Sequence, residues 1–246
     1  MHSCIFFVRI LCIIMKSNIL LILILSFGIS LSAQAFKCLG ADFEKINTER
    51  AVSDTTRGKI YFQLPSTMHI KVEYPVNQLL TYDKDKFLIY YPESEQAFAL
   101  YSSNPMNIPF FSSIISVVKE DFGLSDLGFT MSSNVIKGDT LVAEWAPPEA
   151  LKPVISKIRI TYDKQKLILS QTFDAKNQMV VYTAYENHFE YKGYYFPLSV
   201  TTHQIIGTSD NIEQIIYTNP QFELDFPKIA RQFKIPKEVQ IKELNW

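Results

Sequence analysis

The sequence predicts a mainly β protein of the α+β class, built on one large, strongly bent antiparallel sheet. Three observations carry that expectation. Segment after segment alternates apolar and polar residues with a period of two, the mark of a strand buried on one face and wet on the other. The intervals between these segments are short and turn-like, which fits hairpins and not βαβ crossovers. One internal segment has helical spacing instead, and it is apolar enough that it must lie against the sheet.

Taken in order, residues 59–64 place Ile60, Phe62 and Leu64 on one face. The stretch FQLPSTMHIKVEYP, residues 62–75, follows. Met68, Ile70, Val72 and Tyr74 point one way there, and His69, Lys71 and Glu73 the other. Burying the second set unpaired would be costly, so the first set faces inward. Residues 86–91, KFLIYY, are apolar on both faces, as in a covered strand. Residues 107–123 have Phe111, Ile115, Val118 and Phe122 at helical spacing, with Phe110, Ile114 and Val117 beside them. Asn107 is a suitable N-cap, Pro109 fits the first turn, and Gly123 can end the helix. Residues 145–153, with Pro147, Pro148 and Pro153, read as a loop. Residues 157–162 alternate, with Ile158, Ile160 and Tyr162 inward. Strands are also expected over 167–173, 178–185, 196–206 and 211–217, separated by turns at 163–166, 174–177 and 207–210. The tail is expected to hold a short helical turn within 230–239 and an extended piece after Pro236.

Residues 1–35 read as a secretory signal and 36–246 as a single domain. From Met15 the chain carries Lys16, an apolar run over 19–31 and the small-residue site Ala33-Gln34-Ala35, which predicts cleavage before Phe36. Met15 gives a better-proportioned signal than Met1. An uncleaved N-terminal anchor, using this run and the earlier apolar patch at 5–14, is the alternative.

Arg9 and Lys16 account for all the signal's formal charge. Of 24 basic residues, 22 therefore remain against 25 acidic ones. That balance gives no basic surface for nucleic acid. Cys4 and Cys12 leave with the signal, so Cys38 has no partner for an internal disulfide. Lipidation of Cys38 is excluded because Phe36 and Lys37, neither of them small, precede it.

No catalytic or metal motif is present. His69, His188 and His203 are not at ligand-pair spacing, and there is no His-Glu-x-x-His, paired-Cys, Gly-x-Ser-x-Gly or Gly-rich phosphate motif. His69 and His203 fall on polar strand phases and read as surface residues. The expectation is a protein that is not an enzyme and needs no cofactor or metal. A hydrolase whose groups converge only in three dimensions stays open as a weaker alternative.

Residues 58–65 (GKIYFQLP), the alternating strand from Met68 to Tyr74 and residues 86–96 (KFLIYYPESEQ) resemble, in order and spacing, the LolA-like outer-membrane lipoprotein carriers. Residues 233–239 (FKIPKEV) are similar to that family's closing Phe-x-x-Pro-x-x-Val. The resemblance implies an unclosed β-barrel with a helical lid over an apolar cavity. It also implies a periplasmic shuttle that carries acylated lipoproteins, or other lipids, from an inner-membrane lipoprotein-release transporter to an outer-membrane acceptor. Two departures stand out. Leu64 occupies the position before Pro65 where the family commonly has an Arg tethering the lid. Only residues 36–40 separate the expected cleavage site from the first strand, so the family's N-terminal helix is missing or much shortened.

Candidate acyl-chain contacts are Met68, Ile70, Val72, Phe87 and Ile89 from strands, and Phe110, Phe111, Ile114, Ile115 and Val118 from the helix. Each position is equally compatible with ordinary core. The expected form is a monomer. An envelope sensor of the same fold, which binds lipid and signals by contact, is the second functional class.

Overall fold

The computed structural model describes residues 36–64, 67–83, 86–101, 121–206, 209–223, 225, 228 and 234–244. Its strands in chain order begin with β1 (Cys38–Glu49), β2 (Val52–Gln63), β3 (Thr67–Tyr74), β4 (Gln78–Asp83), β5 (Lys86–Tyr91) and β6 (Gln96–Tyr101). A second run comprises β7 (Thr130–Lys137), β8 (Thr140–Ala146), β9 (Ile155–Asp163), β10 (Lys166–Asp174) and β11 (Met179–Tyr191). It continues through β12 (Tyr194–Ile206) and β13 (Ser209–Glu223) to a short β14 (Ile241–Leu244).

All of them form one curved, unclosed sheet in the order β14-β6-β5-β4-β3-β2-β1-β13-β12-β11-β10-β9-β8-β7. The long hairpins follow from the short turns. Residues 164–165 and 192–193 turn at the places where polar residues interrupt the alternation. At the tip of the β1–β2 hairpin, Arg50 and Ala51 both take positive φ, 50° and 66°. Such mirror-image turns match the right-handed twist of the strands they join. The chain returns after β13 to the far edge of the sheet. There β14 pairs parallel to β6, the one departure from antiparallel pairing among the described strands.

Curvature has a visible cause. The ladder slips between Gly40 and Asp42 in β1–β13, between Arg57 and Gly58 in β2–β3, and twice in β9–β10. Each slip is a bulge that bends its strand and increases the local twist. Gly58 sits at one of them because β3 comes very close: a Cβ there would lie 2.0 Å from the carbonyl oxygen of Lys71.

The strand phases agree with the sequence at most points. Ile60, Phe62, Met68, Ile70 and Val72 are buried, while His69 and Lys71 are partly exposed and Glu73 is exposed. Both faces of β5 contribute buried residues, Phe87 on one and Tyr90 on the other. Tyr74 is an exception, being exposed at the bulge, where it lies under the Arg57 guanidinium. Trp145 belongs to β8 and is buried, so the expected loop starts later, at Pro147.

The helical lid is not supported. The described residues contain no α-helix, only two short 3-10 turns, Ser125–Leu127 and Glu149–Leu151. Most of the helix expected over 107–123 lies outside the described residues, and residues 121–123 are turn. The helical turn expected near 230 also falls largely outside them, whereas the extended piece after Pro236 is β14.

Cys38 opens β1 fully buried. Burial, with Glu223 and Asp225 adding to it, pushes its thiol up to about 12. Because the thiolate is the reactive form, this cysteine is inert in the folded chain.

Two tests follow from this packing. Gly58→Ala is expected to cost about 1–3 kcal/mol, as overpacking does, and to lower Tm by several degrees. An unchanged Tm would contradict the close approach of β2 and β3. Iodoacetamide at pH 8 should leave Cys38 unmodified in the native protein and alkylate it in urea; native-state labelling would contradict its burial.

Candidate functional site: the apolar inner face

The register builds the site from the alternation already described. Met68 pairs with Phe62 and Tyr82, Ile70 with Ile60 and Leu80, and Val72 with Gly58. Directly paired residues share a face, so the row continues through Phe87 and Leu100, and through Ile89 and Phe98. Of the sequence-predicted contacts, Met68, Ile70, Val72 and Phe87 therefore meet in one cluster, with Ile89 packed partly buried against it. Met68 and Ile70 are each only 1 % exposed. Phe110, Phe111, Ile114, Ile115 and Val118 lie outside the described residues.

The same apolar face extends across strands that the sequence reading left out of the site. Phe43 and Tyr217 face each other across β1 and β13, and Ile215 stands opposite Val200. Tyr185, Ile160, Ala143 and Trp145 carry the cluster onward to β8. Inward phases at 157–162 gave a signal for this half. The cluster as a whole needs the strand order, because β1 meets β13 only through a pairing remote in sequence.

One end of this face is closed by aromatic rings. Phe222 is the hub: its ring stacks on Tyr191 with centroids 4.7 Å apart and meets Phe36 edge-on at 4.9 Å. Phe36 in turn meets Tyr194 edge-on at 4.8 Å, and Phe196 packs on Tyr217 at 5.0 Å. Edge-on and offset contacts of this kind add to the area the rings bury.

Phe122, Leu124 and Phe129 also join the cluster, from the turn that precedes β7. Asp121 fixes that turn by accepting from the Gly123 N–H at 2.9 Å and from Ser125. Burial works to raise the Asp121 pKa, but these hydrogen bonds outweigh it and hold the carboxyl below its usual range.

The outer face is different in kind. Glu144 accepts from Arg159 Nη2 at 2.7 Å and from Lys157 Nζ at 3.0 Å, and those two bonds keep its carboxyl low. Beside it lies an open groove of about 540 Å³ whose lining includes Lys137, Thr140 and Gln171. A second, of about 410 Å³, runs past Asp42, Glu44, Arg57 and Lys59. Charged side chains line both grooves, with Val135 and Val142 beside them in the first. His69 reaches Thr81 at 3.1 Å, and His203 stacks on Tyr182 and pairs with Asp210 at 3.2 Å, both on this polar face. His188 is half-buried; its Nε2 bonds the Leu167 carbonyl at 2.8 Å, and burial pulls its pKa down. Among the described residues, no group of three or more His, Cys, Asp or Glu side chains is placed to hold a metal.

Solved structures share this architecture at low identity. A LolA superfamily protein of Nitrosomonas europaea superposes with a TM-score of 0.55 at 12% identity, over 79% of this chain and 90% of that one. A putative outer membrane lipoprotein-sorting protein domain of Vibrio parahaemolyticus gives 0.57 at 14%, over 80% and 89%. A DUF1329 family protein of Desulfovibrio piger gives 0.60 at 10%, over 85% and 94%. These likenesses establish the fold. A search of curated protein sequences gave no match. The family model described as outer membrane lipoprotein carrier protein LolA matches residues 34–188, more than half of the chain. The chain belongs to the LolA family of outer membrane lipoprotein carrier proteins.

Proposed function

We propose that this chain is a periplasmic carrier that takes the acyl chains of a lipoprotein, or of another lipid, onto its inner face and moves them toward the outer membrane without covalent chemistry. The observation that carries the reading is the contrast between the two faces. The inner one carries an apolar cluster from β3 across to β8. The outer one is ion-paired along β1–β3 and β8–β9, although it also buries Tyr90, Ala97 and Ala99 on β5 and β6. Membership of a family of outer membrane lipoprotein carriers points the same way. In this reading the chain is exported by a signal cleaved before Phe36. It receives cargo from an inner-membrane transporter and hands it to an outer-membrane acceptor.

Energetics favour a face of this type. Burying a methylene is worth about 0.8 kcal/mol, so three chains of about fifteen methylenes would gain roughly 36 kcal/mol if wholly buried. Non-covalent affinity saturates near −18 to −21 kcal/mol, at about half that figure. A carrier that must also release its load therefore covers the chains only in part. Met68, Ile70 and Val72 are packed against other side chains in this structure, so loading means that cargo replaces some of those contacts. An exchange of apolar contacts for apolar contacts has a small net free energy, which suits a protein that both loads and unloads.

Ile70 and Ile89 share a face but differ in burial, and that difference supplies the test. Ile70→Glu should cost several kcal/mol, since its carboxylate would be buried unpaired, and is expected to unfold the protein. Ile89→Glu, at a partly exposed position, is expected to keep the fold and weaken binding of a fluorescent acyl probe at least tenfold. Unchanged probe binding in folded Ile89→Glu would place the cargo elsewhere. Sequencing of the exported protein is expected to begin at Phe36; a retained residue 1 or 15 in the membrane fraction would contradict cleavage.

A further inference from the structure

The inner face is not uniform along its strands. Moving away from the aromatic end, β1 presents Leu39, Ala41 and Phe43, then Lys45, Asn47 and Glu49. On β13 the same direction runs Tyr217, Ile215, then Glu213 and Asn211, and on β12 it runs Phe196, Leu198, Val200, then Thr202. The pairings align these changes into rows. Val200, Ile215, Lys45 and Thr56 share one row, and Thr202, Glu213, Asn47 and Asp54 share the next. Apolar surface gives way to polar surface within one step along four adjacent strands.

At that border Lys45 Nζ and Glu213 Oε2 are 2.5 Å apart, with side chains 20% and 30% exposed. Thr183 and Thr202 bridge their hydroxyls at 3.0 Å in the next row, and Thr183 is buried. One step further out, the Oδ1 of Asn211 is buried and meets no donor among the described residues. A half-buried ion pair is poor value for stability, because an apolar pair of similar volume commonly does as well or better. An acceptor left without a donor costs more still.

We propose that this border binds the head of a zwitterionic lipid, one carrying a phosphate and a primary ammonium, with its acyl chains lying on the apolar part of the same face. The proposal rests on the carrier reading above and adds the cargo's polar end. Lys45 and Glu213 part from each other to take phosphate and ammonium, so each charge exchanges one opposite partner for another and none is left uncompensated. An ammonium N–H can also serve the open Oδ1 of Asn211. A net-anionic head would satisfy Lys45 and leave Glu213 facing it, with Glu49 and Asp54 as further acids at the outer rim. An uncharged diacylglycerol would leave the ion pair closed and the Asn211 acceptor unmet.

The test is uptake of fluorescent phosphatidylethanolamine, phosphatidylglycerol and diacylglycerol, with identical chains, from vesicles by the chain beginning at Phe36. Wild type is expected to prefer phosphatidylethanolamine over both others by about tenfold, the equivalent of about 1.4 kcal/mol. Glu213→Gln removes the acid paired with Lys45, and the preference should pass to phosphatidylglycerol. The double variant Lys45→Met with Glu213→Leu should fold at least as well as wild type. It should bind diacylglycerol normally and no longer distinguish heads. Equal uptake of all three lipids by wild type, or a preference that survives Glu213→Gln, overturns the head site and leaves the carrier reading intact. A diacylated peptide that outcompetes phosphatidylethanolamine, regardless of Glu213→Gln, also overturns it, in favour of lipoprotein cargo alone. Failure of every probe, diacylglycerol included, removes the carrier reading and the head site with it.

Discussion

The curl of one open sheet is the constraint on which the rest depends. Fourteen strands joined edge to edge do not stay flat, because each strand's right-handed twist accumulates across the sheet. Sheets beyond about ten strands curl, split or flatten. Here the bulges at Gly40, at Gly58 and in β9–β10 direct the curl. Curling gives the two faces unlike tasks. The inner face draws its large residues together into one apolar cluster, while the outer one is laced with pairs such as Glu144–Arg159 and Lys59–Asp42.

Much of this was legible in the chain. The Met68–Ile70–Val72 phase, the covered strand at 86–91 and the hairpin turns at 164–165 and 175–177 each follow from local chemistry that tertiary structure only reinforces. Other elements left no readable pattern. All eight residues of β7, TMSSNVIK, are exposed at a sheet edge, so no buried face imposes alternation on them. Along β1 the alternation fades after Phe43 because the inner positions turn polar, at Lys45 and Asn47. That fading hid the strand from periodicity, so that only the family resemblance placed its start, and it is also the feature that gives the inner face its polar end. The parallel pairing of β14 with β6 joins segments about 140 residues apart, a distance no local pattern bridges.

The site was half visible for the same reason. Periodicity identifies which residues point inward within a strand, but it cannot say which strands adjoin. Met68 to Ile89 come from neighbouring hairpins and were found together. Tyr217, Val200 and Tyr185 reach the same cluster only through the β1–β13 pairing. The resemblance to lipoprotein carriers supplied an unclosed barrel, which the sheet order bears out, and a helical lid, which the described residues do not support. Gly58, at the head of that resemblance, has a physical explanation in the close approach of Lys71.

The central claim is that the apolar inner face holds acyl chains in the working protein. Native mass spectrometry of the protein, isolated without detergent from the cells that make it, tests this most directly. The account predicts a population heavier than the apo chain by the mass of an acylated molecule, shed on mild activation and lost in Ile89→Glu. A wild-type protein that is entirely free of lipid, and remains so after incubation with vesicles, would contradict it.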